Sequence, residues 1–79
     1  MTDMDWKERI EVRADVLTGK PVVKGTRLSV DFLLGLLAEG WTEAEIFADY
    51  PGLVVEDIRA CLAYASSTLA AEKVYRIAV

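Results

Sequence analysis

A mainly α fold, three helices behind a short N-terminal β arm, is predicted by three features of this chain. Apolar residues recur at helical spacing in three stretches after residue 29, polar caps stand at the head of two of them, and the residues before 28 alternate or punctuate instead. The 79 residues make one domain, because so short a chain buries too little apolar area to divide between two cores. Its expected parts are a β arm over 9–28, a three-helix core over 29–66, and a helix extension or tail over 67–79.

The arm opens with Ile10-Glu11-Val12-Arg13, whose alternation of apolar and charged residues is the sign of a half-buried strand. Gly19-Lys20-Pro21 then punctuates, Val22-Val23 is β-branched, Lys24-Gly25 offers a turn, and Thr26-Arg27-Leu28 can return. The result is a small hairpin, and since an isolated hairpin is marginal in water, its edge is expected to pair with residues 10–13 or with a neighbouring subunit. Ser29 is the N-cap of a first helix over about 30–39, with Asp31 at the positive end of its dipole. Val30, Leu33, Leu34 and Leu37 face a core, while Phe32 and Leu36 form a second apolar row that needs cover. Gly40 is the natural left-handed stop.

Thr42-Glu43-Ala44-Glu45 spells a capping box for a second helix, which turns Ile46 and Tyr50 inward with Phe47 beside them and stops at Pro51-Gly52. A third helix begins near Val55, with Glu56 and Asp57 in its first turn and Ile58, Leu62, Ala65 and Leu69 as its expected inner face, widened by Cys61 and Tyr64. Continuation through Glu72-Lys73-Val74-Tyr75-Arg76-Ile77 is left open. Short helices joined by a Gly-containing turn form a helix-turn-helix.

Composition narrows the function. There is no histidine, and Cys61 is the only cysteine, so the chain can form no internal disulfide, no thiolate zinc cluster and no imidazole-based acid, base or nucleophile pair. No enzymatic activity, cofactor or metal is therefore expected; Glu43, Glu45 and Asp49 are accounted for by capping and solvation. No apolar run approaches the roughly 18 residues that span a bilayer, and Met1-Thr2-Asp3-Met4-Asp5 is unlike a secretory leader, so the expected location is the cytosol. Hydrophobic residues make up 53%, more than so small a chain readily hides, which points to an oligomer. Charge is segregated: residues 1–27 hold six cations against five carboxylates, net +1, and residues 28–79 hold three against eight, net −5. An acidic helical part suits a basic protein partner and leaves phosphate contacts to the arm.

The run from Gly19 to Val30 (Gly-Lys-Pro-Val-Val-Lys-Gly-Thr-Arg-Leu-Ser-Val), then Leu37-Ala38-Glu39-Gly40, Tyr50-Pro51-Gly52-Leu53 and the segment from Glu56 to Ala65, resembles the small antitoxin-like, VapB-type family known as domain of unknown function 433, in matching order across about residues 9–66. The resemblance implies a homeodomain-like three-helix bundle with an N-terminal β arm. It also implies an antitoxin of a type II toxin–antitoxin pair whose partner is a PIN-like ribonuclease toxin. Two departures stand out. Val54 occupies the cap of the last helix and cannot accept from the N3 amide, a loss of roughly 1 kcal/mol that Asp57 is expected to offset through the helix dipole. Glu56 and Asp57 at the start of that helix repel phosphates, leaving Arg59 alone to reach a base or backbone oxygen.

On this reading Lys20, Lys24, Arg27 and Arg59 are the candidate DNA contacts, against solvated edge protection for the arm cations and an ion pair with Glu56 for Arg59. Val22, Val23, Leu28, Phe32, Leu36, Trp41 and Tyr64 are the candidate partner and dimer surface; Trp41 has an equal claim as a hydrophobic staple against Ile46. Gly25 is a turn requirement, Gly19-Lys20 lacks the Ser/Thr and helix of a phosphate loop, and Cys61 is inert packing. The expected function is toxin neutralisation with operator binding by a dimer. The alternatives are a helix-turn-helix DNA-binding regulator without a toxin, or a plain oligomerisation or adaptor domain.

Overall fold

A hairpin laid across three helices is what the computed structural model shows for residues 5–71, the residues it describes. Strand β1 (Ile10–Val12) pairs antiparallel with β2 (Pro21–Val23) in the register Ile10↔Val23, Glu11↔Val22 and Val12↔Pro21. On its other side β2 meets the returning chain, through a bridge from Val22 to Ser29 and a bond from the Val23 amide to the Leu28 carbonyl at 3.0 Å. Thr26 ties the turn between them: its hydroxyl donates to the Val23 carbonyl at 2.8 Å and accepts from the Leu28 amide at 3.0 Å. The expected hairpin is thus present, with residues 10–12 closing its open edge.

Two short turns of 3₁₀ helix were not foreseen. One, Trp6–Glu8, is capped by Asp5, whose carboxylate accepts from the Lys7 amide at 3.0 Å. The other, Leu17–Gly19, carries φ of +50°, +53° and +85° at three successive residues. Only glycine enters that region freely, so Leu17 and Thr18 signal nothing of it in sequence.

Helix α1 (Val30–Ala38) starts where Ser29 accepts from the Phe32 amide at 3.1 Å. It ends in a Schellman turn: Gly40, at φ +99°, donates to Leu37, and Trp41 donates to Leu36, both at 3.0 Å. Trp41, partly buried against the core, immediately precedes Thr42, the cap of α2 (Glu43–Asp49), so the residue that closes one helix through its backbone N–H stands next to the one that opens the next. Both halves of the capping box are made, Glu45 N–H to Thr42 Oγ1 at 3.1 Å and Thr42 N–H to Glu45 Oε1 at 2.8 Å. The Tyr50–Val54 turn leads into α3 (Val55–Ala71), which completes a helix-turn-helix connectivity.

The core comprises Ile10, Val23, Val30, Leu33, Ile46, Leu53, Ile58, Ala60 and Cys61, with Trp6, Leu28, Leu34, Leu36, Leu37, Trp41, Phe47, Tyr50 and Tyr64 packed around it. The inner face of α3 is a correction. Asp57, Ile58, Ala60 and Cys61 are buried, whereas Leu62 and Leu69 are 49% and 63% exposed. Apolar residues run almost all round this helix after Arg59, so spacing alone does not select a face, and the hairpin packed on one side does. The possible continuation through Glu72–Ile77 lies outside the described residues.

Candidate functional site

The candidate binding surface is an apolar cleft where the returning arm meets the turn between α2 and α3. Thr26, Leu28, Tyr50, Pro51, Gly52 and Leu53 line a hollow of about 280 Å³, with Asp49 at its lip. A second hollow of about 290 Å³ shares Leu28 and Tyr50 and extends to Arg27, Ser29 and Phe32. Local chemistry fixes both walls. On one side the Thr26 hydroxyl places Leu28, and the Ser29 cap sets the first turn that carries Phe32. On the other, Tyr50 ends α2, and its carbonyl accepts from the Leu53 amide at 3.0 Å, folding Pro51-Gly52 outward and Leu53 into the core. The Phe32 and Tyr50 rings meet edge to face at 5.9 Å across the cleft, and Phe32 is still 41% exposed.

Asp49 is the one carboxylate and Arg27 the one cation lining these two hollows, but the stretch of chain that forms the helical wall is one-sided in charge. From Leu28 to Ile58 the chain has no lysine or arginine, and Glu39, Glu43, Asp49 and Glu56 are exposed without a cation partner among the described residues. Arm cations serve structure in several cases. Lys20 lies 3.3 Å from Asp31, whose carboxyl is held below its ordinary range by the Ser29 hydroxyl and then by Lys20. Arg13 grips Asp15 through two bonds, at 3.2 and 2.9 Å, and lowers its pKa. These two residues, with Glu11, Val16, Gly25, Thr26 and Arg27, line a separate polar concavity.

The predicted site residues divide accordingly. Of the four candidate DNA contacts, Lys24 and Arg27 are exposed together on the arm turn and Lys20 is engaged by Asp31. Arg59 is exposed on α3 two positions beyond the buried Asp57, about 200° further round the helix, so it turns away from the side on which the arm packs. Its expected pair with Glu56 is not formed. Of the seven candidate interface residues, Val22 and Val23 are withdrawn from any surface. They are 0% and 2% exposed because β2 is the inner strand, covered on both faces within this chain. Leu28, Leu36, Trp41 and Tyr64 are half-buried against the core, and Phe32 is the most open of the set.

Asp57 is the residue most misjudged by spacing. Rather than an exposed phosphate repeller, it is buried at 6% exposure; its Oδ1 accepts from Arg9 Nη1 and its Oδ2 from the Val54 amide, each at 3.0 Å. Val54 is therefore no defect: Asp57, at N3, makes the half of a capping box that needs only the backbone of the cap residue. That position was the available signal. Trp6, edge to face with Tyr64 at 4.8 Å, gave none.

Among the described residues no group of three or more Asp, Glu, Cys or His could hold a metal ion, and no helix is long and apolar enough to cross a membrane.

Fold and surface together define a small, mainly α domain, a β hairpin docked on three helices, that presents an apolar cleft with Asp49 in its lining. The chain belongs to the family described as Protein of unknown function (DUF433), which matches residues 10–65. It is similar to a solved structure, the 2.00 Å crystal structure of a DUF433 member from Anabaena variabilis, with a TM-score of 0.74 and 29% identity. That likeness covers 78% of this chain and 61% of the other, so this chain spans about three-fifths of the length of its solved relative. No curated protein matches it.

Proposed function

We propose that this chain is a non-catalytic, antitoxin-like protein of a type II toxin–antitoxin pair, which neutralises a PIN-like ribonuclease by covering its RNA-binding surface. The observation that carries the reading is the apolar cleft of Leu28, Tyr50, Pro51 and Leu53, with Asp49 in its lining, built largely from a stretch of chain, Leu28 to Ile58, that has carboxylates and no lysine or arginine. A ribonuclease must expose cations to hold its polyanionic substrate. An acidic face then supplies orientation and fast encounter, while burial of apolar side chains such as Phe32 supplies affinity; the block is steric and electrostatic and requires no reaction. The test is co-expression with the product of the adjacent gene. A co-purifying complex that restores growth, and that loosens with salt or on Asp49→Lys, is the expected result; separate elution without growth rescue removes the reading.

Operator binding by a dimer is a second reading, favoured by Lys24 and Arg27, exposed on the arm turn and forming no ion pair with another described residue. It requires affinity for the upstream DNA that falls steeply with salt and weakens for all sequences alike when Lys24 and Arg27 become Ala.

A further inference from the structure

The second half of α3 is helical with none of the other described residues covering it. Ser66, Ser67, Thr68, Leu69, Ala70 and Ala71 are all exposed. Three of them carry hydroxyls that compete for backbone bonds and rank below Ala, Leu or Lys as helix formers. Among the described residues no packing supports this half of the helix. Past the buried Ile58, on the same side of the helix but beyond the reach of the core, Leu62 and Leu69 stand seven positions apart, 49% and 63% exposed, with Ala65 and Ser66 between them.

We propose that this face of α3 is the contact between two copies of the chain, packed antiparallel so that Leu62 of one copy meets Leu69 of the other, with Ala65 and Ser66 at the two-fold axis. Charge selects a second copy as the occupant. Each chain carries net charge −4, so copies repel wherever their carboxylates meet. From Ala60 to Ala71 there is no charged residue, the longest such run in the sequence, and it is there that two identical acidic molecules approach without penalty. The same neutrality disfavours a basic toxin or a phosphate backbone on this face. Shape selects the orientation: the core packs on the first half of α3, at Ile58, Ala60, Cys61 and Tyr64. Parallel pairing would press the two bodies side by side, whereas antiparallel pairing sets them at opposite ends. Small residues at the axis let the helices come close. The contact is isologous, so it closes at two. It stands independently of the toxin reading, since toxin and second copy use different faces.

The experiment is the solution mass of the full chain by light scattering, from micromolar to millimolar concentration. The expected wild-type mass is that of two chains. Leu69→Glu and Leu62→Glu each place a carboxylate in the contact and weaken association at least ~100-fold with unchanged helical circular dichroism. Val12→Glu, at an exposed apolar site on β1, keeps the two-chain mass. Ser66→Cys links two copies on oxidation and Ala44→Cys, on the exposed side of α2, does not. A wild-type mass of one chain across the range overturns the proposal, as does dissociation by Val12→Glu with Leu69→Glu still paired, or cross-linking through position 44 rather than 66.

Discussion

The arm and the helical body are charged oppositely, and they are joined where the charges meet. Residues 5–27 carry six cations, and residues 28–58 carry none. Of the three ion pairs among the described residues, two cross between the regions, Arg9 to Asp57 and Lys20 to Asp31, and in both the arm provides the cation. A segregation that reads from composition as suiting a basic protein partner is, in part, the means by which the arm is fastened to the helices. What the arm leaves uncompensated, on α2 and around it, is the acidic surface available to a partner.

The comparison breaks most sharply if the arm is dispensable. Leu33→Ala, in the centre of the body at 0% exposure, is expected to lower unfolding free energy by about 3 kcal/mol. Val23→Ala, in the arm at 2% exposure, should cost about 2 kcal/mol in the same denaturant titration. An arm that merely hangs from the helices would show no loss.

Next comes the tie itself. Asp57→Ala removes the acceptor of the Val54 amide and the partner of Arg9 together, an expected loss of about 2 kcal/mol. Asp57→Asn keeps the first and should lose about half as much. A double-mutant cycle with Arg9→Ala then gives the ionic part, and a coupling near zero would mean that the arm is held by packing alone.

Cys61 offers a smaller effect with a defined sign. Burial, reinforced by the negative charge of Asp57, pushes its thiol up from the ordinary 9.0 to about 11. The unfolded chain therefore releases this proton first as pH rises. The thiol's contribution to stability is complete below pH 9 and is lost as pH climbs through 9 towards about 11. Stability measured against pH should fall more steeply over that window in the wild type than in Cys61→Ala. Equal slopes would place the thiol in contact with water.

The smallest effect belongs to Lys20→Ala. Its pair with Asp31 is exposed on both sides, and about 0.5 kcal/mol or less is expected, declining with salt. A loss comparable to that of Asp57→Ala would move the main fastening of the arm from α3 to α1.

Most of the helical architecture was legible because its signals are local. Ser29, Gly40, Thr42 with Glu45, and Pro51-Gly52 each act on backbone groups within a few residues, and each appears in the structure in the role its chemistry assigns. The strand at residues 10–12 was legible for the same reason. What escaped depends on distance or on degenerate pattern. The Arg9–Asp57 bond spans 48 positions, and no local rule connects them. The burial of Val22 and Val23 follows from the arm folding back, which turned a supposed contact surface into core. Along α3 the unbroken run of uncharged residues hid which side faces inward, and it is the same run that leaves Leu62 and Leu69 in water. The cleft was invisible because its two walls come from turns that are distant in sequence.

The bond between Arg9 and Asp57 also sets a schedule for biosynthesis. Chains leave the ribosome from their N-terminus, so the guanidinium is already outside when the last helix emerges, and its buried carboxylate finds a waiting counter-ion. A circularly permuted chain beginning at Ser29 would reverse that timing, holding a half-built helix with an uncompensated acid until the arm was translated. Such a permutant should need longer to reach its native state even if its final stability were the same.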